Sequence, residues 1–299
     1  MTTILVAGVA VTDFVFQVEE MPDRPEKYRA LDSSVIGGGC AASAAVAIAR
    51  LGGTARLASR LGADRIGEIT RADLVADGVD CSLVRSFEGA RTSYASVLVD
   101  RKGERQIVSF RDPALPDEAG WLEEAITGEF DAALADTRWP AGALAVLSRA
   151  RRWGKPGIVD AEAPVKQSMA ALKAASHIAF SAQGLRDYSG HGDLLSGLRQ
   201  AASETGAWVC FTDGADGVTW LENGSPRTLL PPQVEVVDTL GAGDAWHGAF
   251  ALALAEGLRE QEAIVFANAV ASIKCTRFGG RAGIPGRAEV DGFLKSFTD

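Results

Sequence analysis

The chain is poor in the residues that build metal and redox centres. Its 299 residues include four cysteines and three histidines. Cys40, Cys81, Cys210 and Cys275 form no Cys-x-x-Cys pair and no cluster with histidine, which argues against a zinc site and a disulfide framework and leaves buried free thiols as the expected state. There is no basic excess either. A net charge of −9 speaks against nucleic acid or an anionic membrane as the main partner, although a local basic pocket could still hold an anionic substrate. The longest apolar runs, such as Ala41 to Ala49, are too short to span a bilayer, and the N-terminus lacks the basic flank and cleavage site of a signal peptide. A cytoplasmic protein is expected. No internal repeat or low-complexity segment is found. What remains is 47% apolar residues with 33 Gly and 11 Pro, enough for one large α/β domain or two small ones, and we read residues 1–299 as one.

The run Ile4 to Ala10 reads as a buried parallel strand, apolar throughout because helices cover both faces. Gly8-Val9-Ala10-Val11-Thr12-Asp13 does not supply the Gly-x-Gly-x-x-Gly of a dinucleotide site, which weakens a dehydrogenase reading. Asp13, at the strand's end, is placed to accept hydrogen bonds from a ligand; a plain turn Asp is the alternative. Phe14–Val18, Arg29–Ile36, Ser93–Val99 and Gln106–Phe110 are β-branched or alternating, with no helical pattern within each pair. They predict antiparallel hairpins, the second pair joined by a turn at Asp100–Glu104. From Phe130 onward the βαβ rhythm of a parallel sheet sets in, with strands ending at Asp136, Asp160, Ser181 and Thr212. Those four residues are expected along one sheet edge, facing Gly38 and Asp244.

The most informative stretch is Asp238-Thr239-Leu240-Gly241-Ala242-Gly243-Asp244. Val234–Val237 before it alternates like a strand, and Ala245–Ala255 after it is rich in Ala and Leu like a helix. A strand that becomes a helix at Gly241-Ala242-Gly243 would present first-turn N–H groups to an anion, with the helix dipole behind them. A carboxylate beside an anion hole is a poor phosphate ligand but a good general base, able to take a proton from a hydroxyl while the amides stabilise a transferring phosphoryl group. The plainer alternative is that the glycines pack helix on strand and Asp244 caps the helix. A second turn from loop to helix follows Gly37-Gly38-Gly39, which leads into the Ala-rich run to Ala49.

Both stretches resemble the two signatures of the ribokinase-type (PfkB) carbohydrate kinases, and Arg60–Gly67 resembles that family's structural Gly-x-Asp-x-x-Gly segment. The resemblance spans nearly the whole chain. It implies a ribokinase-like α/β fold with a mostly parallel central sheet and a small β-sheet lid, from about residues 12–36 and 91–112, closing over a sugar to exclude water. The activity implied is ATP-dependent phosphorylation of a sugar hydroxyl. Asp244 would be the base, with Gly241, Ala242 and Gly243 as the anion hole; Asp13, Gly38, Gly39 and Ser43 would touch the sugar, although many relatives carry Asn at the position of Ser43. The turn Thr212-Asp213-Gly214-Ala215-Asp216-Gly217 resembles the nucleotide side, where Thr212, Gly214 and Gly217 would leave room for ATP, and Asn268 falls on a helix that flanks adenine in relatives. Mg²⁺ is the implied cofactor, but Ser181-Ala182-Gln183-Gly184 replaces both polar residues of the relatives' Asn-x-x-Glu, so no protein ligand can be named. Asp238 matches a position near a monovalent cation such as K⁺. A homodimer through the lid is also implied, with neither nucleic acid nor membrane as partner.

Within the family, Pro25–Tyr28, Asp136–Trp139, the triple glycine and Lys274–Pro285 look most like bacterial kinases of 6-deoxy-6-sulfofructose, which phosphorylate its C1 hydroxyl. Lys27 and Arg138 would then read the sulfonate, and Arg111 could join them. A kinase for a neutral ketose or a ketodeoxy sugar acid, and a non-catalytic sugar-binding protein, are the alternatives; the intact Asp244 speaks against the last.

Overall fold

The computed structural model describes residues 1–102 and 104–296. Nine strands form the main sheet: β1 (Thr3–Ala7), β4 (Thr54–Gly62), β5 (Asp80–Phe87), β8 (Ala132–Asp136), β9 (Gly157–Ala161), β10 (His177–Ser181), β11 (Trp208–Thr212), β12 (Val218–Glu222) and β13 (Ser225–Leu229). Their order is β13-β12-β11-β10-β9-β8-β1-β4-β5. From β5 to β11 all pairings are parallel, and the β12–β13 hairpin is antiparallel at the edge. The second sheet is the lid, ordered β3-β2-β6-β7, of β2 (Val11–Gln17), β3 (Asp32–Gly38), β6 (Tyr94–Val99) and β7 (Arg105–Phe110). The two expected hairpins are there, and β2 pairs with β6 in parallel to join them.

Among the described residues ten α-helices flank the main sheet: α1 (Cys40–Arg50), α2 (Arg65–Ala76), α3 (Trp121–Ala125), α4 (Pro140–Arg152), α5 (Met169–Ala174), α6 (Ala182–Ser189), α7 (Leu194–Thr205), α8 (Ala242–Ala255), α9 (Glu260–Cys275) and α10 (Arg287–Lys295). The period of two along a strand divides the core between the faces. Ile4 and Val6 of β1 pack with α1, α8 and α9, while Leu5 and Ala7 pack with α4, α6 and α7. Helix α8 is buried from Ala245 to Leu254, as an all-round apolar sequence requires. A Cβ on Gly248 would meet the Ala44 carbonyl at 2.5 Å, so that glycine sets how closely α8 approaches α1. Among the described residues no helix is long and apolar enough to cross a membrane.

Three sequence expectations need correction. Val234–Val237 is not a strand: it runs along the C-terminal end of α9, Val237 N–H donating to the Cys275 carbonyl at 2.8 Å, with Val236 and Val237 about 60% exposed. Alternation makes a strand only where the segment pairs with another strand, and this one pairs with none among the described residues. Asp13 does not end β1; it is the third residue of lid strand β2, paired with Ile36. Gly37 and Gly38 belong to β3, and only Gly39 lies in the turn. In the expected Asp100–Glu104 turn, Asp100 Oδ1 accepts from the N–H groups of Lys102 and Glu104 at 2.9 and 3.0 Å; Gly103 lies outside the described residues.

Candidate active site

Gly241 caps α8 in the left-handed conformation, φ 73°. The Ala242 N–H is taken by the Thr239 carbonyl at 3.2 Å, whereas among the described residues the N–H groups of Gly243 and Asp244 carry no acceptor. Of the three amides expected to form an anion hole, Ala242's is thus engaged, while among the described residues those of Gly241 and Gly243 are open, with Asp244's beside them. Gly243 is exposed, and a Cβ built on it has nothing within 4 Å. Burial first, then the carboxylates of Asp160 and Glu162, push Asp244 up to about 7 against the pull of His247 and Arg281. A carboxyl group tuned to that range can accept a proton near neutral pH.

The carboxyl ends of β8 and β9 do converge on Asp244. Asp136 and Asp160 are register partners. Asp136 accepts the N–H groups of Val9, Ala41 and Arg138 at 2.8, 3.1 and 2.8 Å, so it fastens β1 and the first turn of α1 to the sheet edge and is committed to structure. Asp160, by contrast, has its oxygen 3.5 Å from His247 Nε2. Burial keeps His247 neutral, and an imidazole with one N–H lies between two carbonyls, Gly243 at 2.7 Å from Nδ1 and Ala179 at 3.3 Å from Nε2. Asp160 is thus buried without a full counter-charge, and burial, then Glu162 and Asp136, raise it well above the usual carboxylate range. Atoms of Cys40, Asp160 and Asp244 lie within 4.8 Å of one another. Burial and the nearby acids hold Cys40 as a thiol, its Sγ–H donating to Glu162 at 3.5 Å. Arg138 reaches Glu162 at 3.2 Å from the same edge.

On the lid side the triple glycine has a physical cause. A Cβ on Gly37 would meet Arg281 Nη1 at 2.0 Å, one on Gly38 the Asp13 carboxylate at 2.3 Å, and one on Gly39 the Val9 carbonyl at 2.5 Å. Arg281, 6% exposed, donates from Nε to Ser43 Oγ at 3.3 Å and from Nη2 to the Gly38 carbonyl; Nη1 has no partner. Burial lowers Arg281 to about 10, which leaves it a cation at neutral pH within electrostatic reach of both Asp13 and Asp244. The expected sugar contacts Asp13, Gly38, Gly39 and Ser43 are therefore gathered in one place, with Ser43 buried against a guanidinium that sequence reasoning passed over. A run of three glycines was the available signal that a large side chain presses on the strand.

The remaining expectations are met unevenly. Thr212 ends β11, and Gly214 is exposed with open space around its Cα. Gly217 is structural, since a Cβ there would meet the Leu229 carbonyl at 2.3 Å. Asn268, on α9, is 3% exposed; its Oδ1 accepts from Trp246 Nε1 of α8 at 2.8 Å and its Nδ2 is buried without a partner among the described residues. Ser181 caps α6 by accepting the Gly184 N–H at 2.9 Å, and a Cβ on Gly184 would meet the Ala161 carbonyl at 2.0 Å, so a glutamate has no room there. Lys27 is exposed between β2 and β3, and Arg111 is exposed after β7; neither is drawn into the cluster around Asp244. At Asp238 a buried lysine, Lys274, stands beside the carboxylate. In Gly62–Gly67, Asp64 accepts from Gly67, Thr92 N and Thr92 Oγ1 at 2.7 to 2.8 Å, so that segment is structural as expected.

A carboxyl group tuned to neutrality next to unpaired helix-terminal amides, with acids and guanidinium groups around it, is the equipment of a phosphoryl-transfer enzyme. The pfkB family carbohydrate kinase profile matches residues 1–287. The chain is 28% identical to the ribokinase of Bacillus subtilis over 98% of its own length and 100% of the relative's, and 28% identical to the fructokinase of Vibrio alginolyticus over 98% and 99%. A crystal structure of an Agrobacterium tumefaciens protein, 36% identical, superposes with a TM-score of 0.92 over 99% of this chain and 98% of that one. The protein belongs to the pfkB family of carbohydrate kinases. It is an ATP-dependent sugar kinase.

Proposed function

We propose that this kinase transfers the γ-phosphoryl group of ATP to the C1 hydroxyl of 6-deoxy-6-sulfofructose, with Asp244 as the base. The observation that carries the assignment of Asp244 is its carboxyl group at about 7, beside the unpaired N–H groups of Gly243 and of Asp244 itself. The amides hold the transferring group while the carboxylate takes the hydroxyl proton, and lid closure keeps water out. Asp13 and the free Nη1 of Arg281 would orient sugar hydroxyls. Asp160, buried without a full counter-charge, and Glu162, which Arg138 reaches, offer oxygens that fit a hard cation. They would hold Mg²⁺, which when bound neutralises the charge of the ATP phosphates.

The sulfonate reading rests on Arg138, which follows β8 and reaches Glu162, and it requires Lys27 to be carried in from its exposed place between β2 and β3. A guanidinium offers the planar fork that an anionic oxygen group requires, and a neutral ketose gives it nothing to bind. Arg138→Ala is expected to lower kcat/KM for sulfofructose by about 2–4 kcal/mol and to leave fructose nearly unaffected. Equal losses would make Arg138 a residue of phosphoryl transfer or of the fold, and a wild-type enzyme preferring fructose would end the sulfonate reading outright. The exposed Leu31, Val35, Ile107 and Val108 of the lid support a homodimer joined there, which sedimentation would detect.

A further inference from the structure

Helix α9 carries a lysine where its own pattern calls for an apolar side chain. Lys274 follows Phe266 and Val270 at four-residue spacing on the inward face, and its side chain is 0% exposed. A lysine is almost never fully buried unless its charge is paired. Nζ donates to the Asp238 carbonyl at 2.7 Å and lies 3.4 Å from the Asp238 carboxylate. The same carboxylate accepts the N–H groups of Leu240 and Gly279 at 2.9 and 3.1 Å. From the other side, the N–H groups of Val237 and Asp238 both go to the Cys275 carbonyl, at 2.8 and 3.1 Å. One buried ammonium thus ties the end of α9 to the segment that opens the anion hole six residues later.

Asp238 is where the sequence leads one to expect a monovalent cation. A carbonyl oxygen and a carboxylate are a suitable ligand set for an alkali ion, but here a protein cation already holds both. The expected K⁺ does not fit beside it. We propose that the Lys274 ammonium replaces the alkali cation, so that this kinase binds ATP and turns over without K⁺. The charge that fixes the loop before the anion hole is then covalently attached, and its occupancy does not depend on the salt around the protein.

The proposal rests on the kinase reading for its interest, so its test is built on nucleotide binding, which reports even if no sugar on hand is phosphorylated. ATP affinity of the wild type, by calorimetry, is compared in KCl and in tetramethylammonium chloride at equal ionic strength. It should change by less than about twofold, whereas an alkali-dependent site would gain about tenfold or more on adding K⁺, the scale of a modest coupling between two ligands. Lys274→Met empties the charge while keeping the length; its ATP affinity should fall, and K⁺ or NH₄⁺ should restore it. A wild type activated by K⁺ overturns the proposal. So does a folded Lys274→Met variant whose loss is indifferent to K⁺, since Lys274 would then be an ordinary structural partner of Asp238. If that variant does not fold, the wild-type comparison decides alone.

Discussion

Asp244→Asn should lower turnover by about a hundredfold to ten-thousandfold, the range for removing a general base, while ATP affinity stays within a few-fold of wild type. The substitution keeps the size and the helix start but removes the proton acceptor. It also removes one negative charge from a crowded group of acids in which Asp160 and Glu162 both raise Asp244, so the folded protein should be no less stable. Steady-state kinetics and calorimetry on one preparation check both halves. Turnover near wild type would show that the proton is taken elsewhere, and a collapse of ATP affinity would show that Asp244 serves binding.

Gly243→Val should abolish activity, with a loss of more than about a hundredfold, because even one missing anion-hole donor has that effect and here the approach to the donor is blocked as well. The fold should survive. A Cβ at Gly243 meets no heavy atom within 4 Å, the backbone there is helical, and valine is no worse than glycine in a helix. The space a valine would fill is the space that phosphates need. Circular dichroism and thermal melting beside the activity assay separate the two effects, and an active, folded variant would move the anion hole away from α8.

What the sequence made legible was whatever local pattern decides. The parallel strands β8 to β11 are short apolar runs with a polar residue last or next to last, and each ends within a residue of where it was expected. Asp244 and its glycines were legible because the chemistry is packed into seven consecutive residues. The failures follow from distance. Val234–Val237 alternates, yet it pairs with the end of α9 and with no strand among the described residues. Asn268 sits on the expected helix, but its bond to Trp246, 22 residues away, was not readable from its own neighbourhood. Arg281 meets Ser43 across 238 residues, a relation no window of sequence contains. Lys274 left a trace, a lysine in step with Phe266 and Val270, but the partner that explains it lies 36 residues back. Glu162 gave none, because its importance comes from Asp160 and Asp244 standing next to it.

The most direct test of Asp244 as the base is the pH dependence of kcat/KM. The sign follows from the chemistry: the base works as the carboxylate, and its folded-state value is raised to about 7, so activity is full above that pH and is lost below it. The expected profile is flat on the alkaline side and falls about tenfold per pH unit below roughly 7, reporting a single group in the free enzyme. The Asp244→Asn variant should lose that limb. A wild-type profile that stays flat down to the ordinary carboxylate range near pH 4 would contradict the account.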